Sequence, residues 1–113
     1  MSKNKIQRIA IVDGYRTPFS KAGTSLAHIP ADELGVMCVK ELLSRSNIDR
    51  STIDEVVFGN VSQPVNAANI ARVIALKAGL DQQIPAYSVQ RNCASGMQAI
   101  TSGMGHILMQ QAD

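Results

Sequence analysis

The C-terminal stretch constrains this chain most: from Asn92 to Ala112 it runs 21 residues without a charged side chain. That length invites a membrane span, because about 20 apolar residues cross a bilayer. Eight of the 21 are polar, however, and Gly96, Gly103 and Gly105 add flexible backbone. In hydrocarbon that composition is costly, so a span is rejected. An ordinary surface helix would carry Lys and Glu on its wet face. Each interior glycine also costs about 0.8–1 kcal/mol of helix propensity relative to alanine. The stretch therefore reads as a buried helix whose glycines admit neighbouring backbones, or else as a weak helix fraying past Gly103. A buried helix needs cover on both sides, which 113 residues do not supply, so further chain beyond Asp113 is expected.

Upstream, short β-rich runs alternate with helical ones. Ile9-Ala10-Ile11-Val12 is a continuous apolar run ending at Asp13-Gly14, the pattern of a strand covered on both faces. Arg16-Thr17-Pro18-Phe19 follows as a loop, since Pro18 pushes Thr17 off helical geometry. Pro30 opens a helix at a first-turn position, with Asp32 and Glu33 favourable to the dipole. Leu34, Met37, Cys38 and Leu42 carry its helical spacing to about Ser46. Val56-Val57-Phe58 is a second strand, closed by Gly59-Asn60, and Asn66 or Asn69 caps a helix stopped at Gly79. Pro85 bounds a third strand over Ala86–Gln90, and the chargeless helix begins at Asn92-Cys93. The order β-α-β-α-β-α predicts one α/β unit with a mostly parallel sheet and right-handed crossovers. No linker or repeat divides residues 1–113.

Composition narrows the function classes. Apolar residues make up 45% and charged residues 18%, which fits a folded globular segment. The net charge of +2, with signs interspersed, is too weak a bias for nucleic acid or acidic lipid. Four aromatics (Tyr15, Phe19, Phe58, Tyr87) leave little for base stacking. Behind the basic start the apolar run stops at Asp13, far short of the ~7–15 residues of a signal peptide. Two cysteines 55 positions apart make neither a disulfide framework nor a metal pair. The expectation is a protein of a reducing, cytoplasmic compartment with no metal and no bound cofactor.

The start of the last helix is the chemical candidate. A thiol there meets the positive end of the dipole and unpaired backbone N–H groups, which favour thiolate. The same N–H groups can receive an oxyanion when a thioester carbonyl is attacked. The other reading of Cys93 is a small buried hydrophobe; Cys38, between Met37 and Val39 in mid-helix, reads as core. A base is harder to find. His106 lies 13 residues after Cys93, about 20 Å along one helix, and His28 sits in a loop with nothing nearby to orient it.

Val89-Gln90-Arg91-Asn92-Cys93-Ala94-Ser95-Gly96-Met97-Gln98-Ala99-Ile100 resembles the acyl-enzyme cysteine segment of the thiolases, the acetyl-CoA acetyltransferases and 3-ketoacyl-CoA thiolases. Three further stretches agree in order. Val12-Asp13-Gly14-Tyr15-Arg16-Thr17-Pro18-Phe19 resembles the family's opening strand and loop, and Phe58-Gly59-Asn60-Val61 the end of its second strand. Asn69-Ile70-Ala71-Arg72 through Lys77-Ala78-Gly79 resembles its Asn-Pro-Ala-Arg helix, with Ile70 where many members have proline. The resemblance implies the first part of the N-terminal thiolase domain, with the cysteine helix in a central helical layer. It also implies a loop domain and a C-terminal half outside residues 1–113, the latter with a histidine that activates the nucleophile and a second cysteine acting as acid/base. Of the catalytic residues it implies Cys93 alone, acting on acyl-CoA and CoA as substrates. It further implies a homodimer or homotetramer meeting along the third strand, and no turnover by the 113-residue chain alone. A condensing enzyme of fatty-acid or polyketide synthesis would show a different sequence around its cysteine, and a redox sensor would want a resolving thiol nearby.

Overall fold

A computed structural model describes residues 7–113. Three helices and two strands form: α1 (Ala31–Ser46), β1 (Val56–Gly59), α2 (Ile70–Lys77), β2 (Ala86–Val89) and α3 (Ser95–Leu108). Single 3-10 turns at Arg50–Thr52 and Val65–Ala67 lead into β1 and α2. The strands pair in parallel, Val56 opposite Ala86 through Gly59 opposite Val89, as a helical crossover requires.

The β1 side chains alternate between two helical layers. Phe58 packs with Val36, Ile70 and Ile74 of α1 and α2, and Val56 joins Ala75, Leu80 and Ile84 on the same side. Val57 faces the other way, sharing a cleft with Gly103 and Ile107 of α3, and Gly59 meets the first turn of α3. The sheet thus separates an α1–α2 layer from α3, which agrees with the expected α/β architecture.

Local signals set the helix ends. Pro30 is the N-cap of α1, one position earlier than expected, and extended (φ −60°, ψ 154°), while Asn47 closes the helix in the left-handed region at φ 53°. Gly79, at φ 83°, stops α2. Asn69 caps α2 with its carbonyl, while its side chain makes no bond to its own helix. Its amide donates to the Ala86 carbonyl (3.0 Å) and its Oδ1 accepts from the Ser88 hydroxyl (3.0 Å). Ser88 Oγ in turn accepts the Ala71 N–H at 3.1 Å, so a strand residue satisfies the start of α2. Lys77 Nζ reaches Asp32 (2.8 Å) and Glu33 (2.9 Å), tying the end of α2 to the start of α1. The ammonium beside it holds the Asp32 carboxyl below its usual range, and the two carboxylates raise Lys77.

Two expectations change. Ile9–Val12 is not a strand: Ile11 and Val12 are 80% and 77% exposed. A strand with apolar groups on both faces needs cover on both. The described chain offers it only where Val12 enters the cleft with Val57, Ile53 and Ile107. Helix α3 is uncovered on one flank among the described residues, as 113 residues were expected not to cover it, but the close approach expected at its glycines does not occur. Among its residues only Ser95 is buried, and Met97, Ile100, Met104 and Leu108 are open to solvent. The helix does not fray at Gly103 but continues to Leu108. Its glycines admit no neighbour, since a Cβ on Gly96, Gly103 or Gly105 would meet nothing within 4 Å.

Candidate active site

The chain passes from β2 to α3 through residues 90–94, a sharp strand-to-helix turn. Helix α3 starts at Ser95 with Ala94 as N-cap, so Cys93 stands just before the helix, two residues earlier than its first member. The turn is closed by Ala94 N–H donating to the Arg91 carbonyl (3.0 Å) and Ser95 N–H donating to the Asn92 carbonyl (3.1 Å). Between them Asn92 adopts φ 48°, a left-handed conformation that asparagine tolerates better than most residues. Its N–H donates to Gln90 Oε1 at 2.8 Å. The buried Ser95 hydroxyl accepts the Arg91 N–H (2.8 Å) and donates to the Asn92 carbonyl (2.7 Å).

Close packing beneath the turn fixes its height over the sheet. A Cβ on Gly59 would lie 2.3 Å from the Ser95 carbonyl carbon and oxygen and 2.6 Å from the Gly96 nitrogen. Only a residue without a side chain lets the end of β1 and the first turn of α3 meet this way. Along the outer side, Arg91 donates to Gln98 Oε1 (2.9 Å), and Gln98 donates to Ser102 Oγ (3.0 Å).

Cys93 is exposed and its thiol is free. It is therefore not the small buried hydrophobe that its residue type alone allows. Among the described residues the N–H groups of Cys93, Gly96 and Met97 have no acceptor, while Gln98 N–H already bonds the Ala94 carbonyl at 2.9 Å. An exposed thiol at the turn into a 14-residue helix, followed by unpaired N–H donors, is an arrangement in which a sulfur can attack a carbonyl and backbone N–H groups can receive the oxyanion.

The remaining candidates are placed elsewhere. Cys38 is half-buried on the opposite side of the sheet, on the wall of a cavity of about 400 Å³ shared with Leu34, Leu42, Phe58 and Ile74; Cys93 does not reach it. His28 is exposed in the turn before α1. His106 lies at the far end of α3, its Nδ1 2.5 Å from Glu55 Oε2 and its ring 5.8 Å from that of Tyr87. The described residues thus bring no histidine to Cys93, and they contain no group of three or more metal-ligating side chains.

Sequence reasoning offered Cys93 as the candidate but missed what holds its turn. Nothing singled out Ser95, whose hydroxyl bonds back to Arg91 and Asn92. Gly59 looked like a strand terminator, and nothing local in the sequence announces that it lies under Ser95.

Comparison with known proteins adds three findings. Residues 9–113 match the family model described as "Thiolase, N-terminal domain". The chain is 49% identical over 98 residues to a 3-ketoacyl-CoA thiolase of Pseudoalteromonas translucida, and 50% identical over 95 residues to one of Escherichia coli. These alignments cover 87% and 84% of this chain but 22% of each relative. Among solved structures, the Bacillus anthracis acetyl-CoA acetyltransferase superimposes with a TM-score of 0.86 at 34% identity, over 91% of this chain and 26% of that one. Human mitochondrial 3-ketoacyl-CoA thiolase in complex with CoA gives 0.85 at 34% identity, over 90% and 26%.

Proposed function

The chain belongs to the thiolase family, and from that membership we propose that it supplies the nucleophile, Cys93, for acyl transfer between a 3-ketoacyl-CoA and CoA. The observation that carries this reading is the exposed Cys93 thiol at the turn into α3, beside N–H groups without acceptors. The chain spans about a fifth of the length of the relatives it matches, so the reaction belongs to the intact protein.

In thiolysis the Cys93 thiolate attacks the ketone carbonyl carbon and forms a C–S bond. The adjacent C–C bond breaks, its electron pair leaves with the acetyl-CoA fragment, and protonation of that carbon gives acetyl-CoA. A thioester remains on Cys93. Free CoA, as thiolate, then attacks this thioester, releases acyl-CoA and restores the Cys93 thiolate. Exchange between thioesters is nearly neutral in energy, so the intermediate is not a trap; the reverse sequence is a Claisen condensation. The Cys93 N–H supports the oxyanion of each acyl-transfer step. Family membership implies that the base that ionises Cys93 and the acid that protonates the leaving carbon come from outside residues 1–113; His106 is held by Glu55 at the other end of α3.

On this reading residues 1–113 are the first part of an N-terminal thiolase domain in a cytoplasmic enzyme that takes CoA and acyl-CoA as substrates and needs no other cofactor. The outer edge of β2 has no strand partner among the described residues, which suits pairing of two copies there. Tyr87→Asp is expected to move a dimer toward monomer in sedimentation; a variant that stays dimeric puts the contact elsewhere.

Cys93→Ala in the intact protein is expected to lower thiolysis of acetoacetyl-CoA by at least about a thousandfold, as loss of a covalent nucleophile does. Retained turnover would defeat the assignment. The isolated 113-residue chain is expected to show no turnover with acetoacetyl-CoA and CoA. A second reading, a self-associating module without activity, has support in the exposed apolar side chains of Ile11 and Val12. Absence of turnover in the intact protein would favour it.

A further inference from the structure

In the turn that carries Cys93 every residue from Gln90 to Ala94 is exposed, as are Gly96 and Met97; Ser95 alone is buried, at 4%. Its hydroxyl spends both bonds on the turn itself, accepting from Arg91 N–H at 2.8 Å and donating to the Asn92 carbonyl at 2.7 Å. Those two partners flank the left-handed Asn92, a conformation less favourable for a residue with a side chain than for glycine. Backbone contact with Gly59 fixes the position of Ser95 from below. We propose that the Ser95 hydroxyl is a positioning residue for Cys93: by bridging Arg91 and Asn92 it holds the turn that presents the thiol to the free N–H groups at the start of α3. The proposal builds on the reading of Cys93 as nucleophile and adds what sets that sulfur's reactivity. Without the hydroxyl, Arg91 N–H loses its acceptor, Asn92 relaxes toward negative φ, and the turn that places the sulfur ahead of α3 changes shape.

The test is the pH profile of Cys93 alkylation by iodoacetamide in the intact protein, followed on the Cys93 peptide by mass spectrometry. Ser95→Ala is expected to slow alkylation about tenfold across the profile, the size of effect that loss of one buried hydrogen bond allows. Ser95→Thr, which keeps the hydroxyl, is expected to restore rate and profile. A folded Ser95→Ala protein with an unchanged profile overturns the proposal. Should Ser95→Ala fail to fold, the exposed Asn92 gives the answer: Asn92→Ala, which disfavours left-handed φ, must slow the thiol, and Asn92→Gly must not. Equal profiles in those two variants also overturn it. Because alkylation needs no acyl-CoA, a wild-type protein that accepts no acyl group would defeat the nucleophile reading without touching this comparison.

Discussion

The two faces of the sheet are unequal. On the α1–α2 side, Ile70, Ala71, Ile74 and Ala75 are almost fully enclosed, and two clusters of apolar side chains meet β1 and β2. On the α3 side, one flank of the helix meets Val57 and Gly59, while Met97, Ile100, Met104 and Leu108 stay open. Apolar composition therefore means different things in the two helices. In α2 it is matched by partners in the same chain and supplies stability. In α3 only one flank is matched, by the contact of Ser95 with Gly59 at the first turn, by Ile107 in the cleft with Val57, and by His106 held by Glu55 at the far end. The candidate site stands at one end of a helix whose other flank is uncovered among the described residues.

That contrast can be broken from either side. Ile74 is the largest fully enclosed side chain, so Ile74→Ala is expected to cost about 2–5 kcal/mol in denaturant unfolding. A loss below about 1 kcal/mol would mean that the α1–α2 side is not the stabilising half. Next in size, Gly59→Ala forces a Cβ against the Ser95 backbone and is expected to cost about 1–3 kcal/mol. It should also lower Cys93 reactivity, because the turn must lift off the sheet; normal stability and reactivity would disprove the close approach.

A smaller effect is expected from the ion cluster joining α1 to α2. Lys77 depresses the Asp32 carboxyl below its ordinary value of 3.8, so the unfolded chain takes up this proton first as pH falls. The associated stability is present above that value and is lost as pH drops through the lower folded one. Asp32→Asn should flatten this acid limb in urea titrations at several pH values; an unchanged limb would remove the cluster from the account. The smallest effect is expected on the open flank, where Met104→Lys should leave the stability of the 113-residue chain within about 0.5 kcal/mol. A large loss there would show that α3 is covered after all.

Much of the fold was legible because its signals are local. Pro30, Asp32 and Glu33 marked the start of α1, Gly79 ended α2, and the apolar runs at 56–58 and 86–89 became the two strands. Ile9–Val12 carries an equally clear apolar pattern and is no strand, because a strand is made by its neighbours and the pattern does not say whether they are present. The helical glycines misled for a related reason: 96, 103 and 105 suggested close backbones, whereas the tight approach is at Gly59, in another element. Cys93 was a candidate from its place at the start of a chargeless helix, which left two readings open, and the resemblance of its segment to the thiolases favoured the nucleophile. The Ser95 bridge and the left-handed Asn92 were not legible, since both depend on how five consecutive residues fold back on themselves.

The central claim is that the Cys93 sulfur carries the acyl group. The most direct test is to incubate the intact protein with radiolabelled acetyl-CoA, quench in acid and map the label by peptide. The account predicts one thioester-linked acetyl group on the peptide holding Cys93, released by hydroxylamine and absent in Cys93→Ala. An active protein whose label lies on another residue, with Cys93 unmodified, would contradict it.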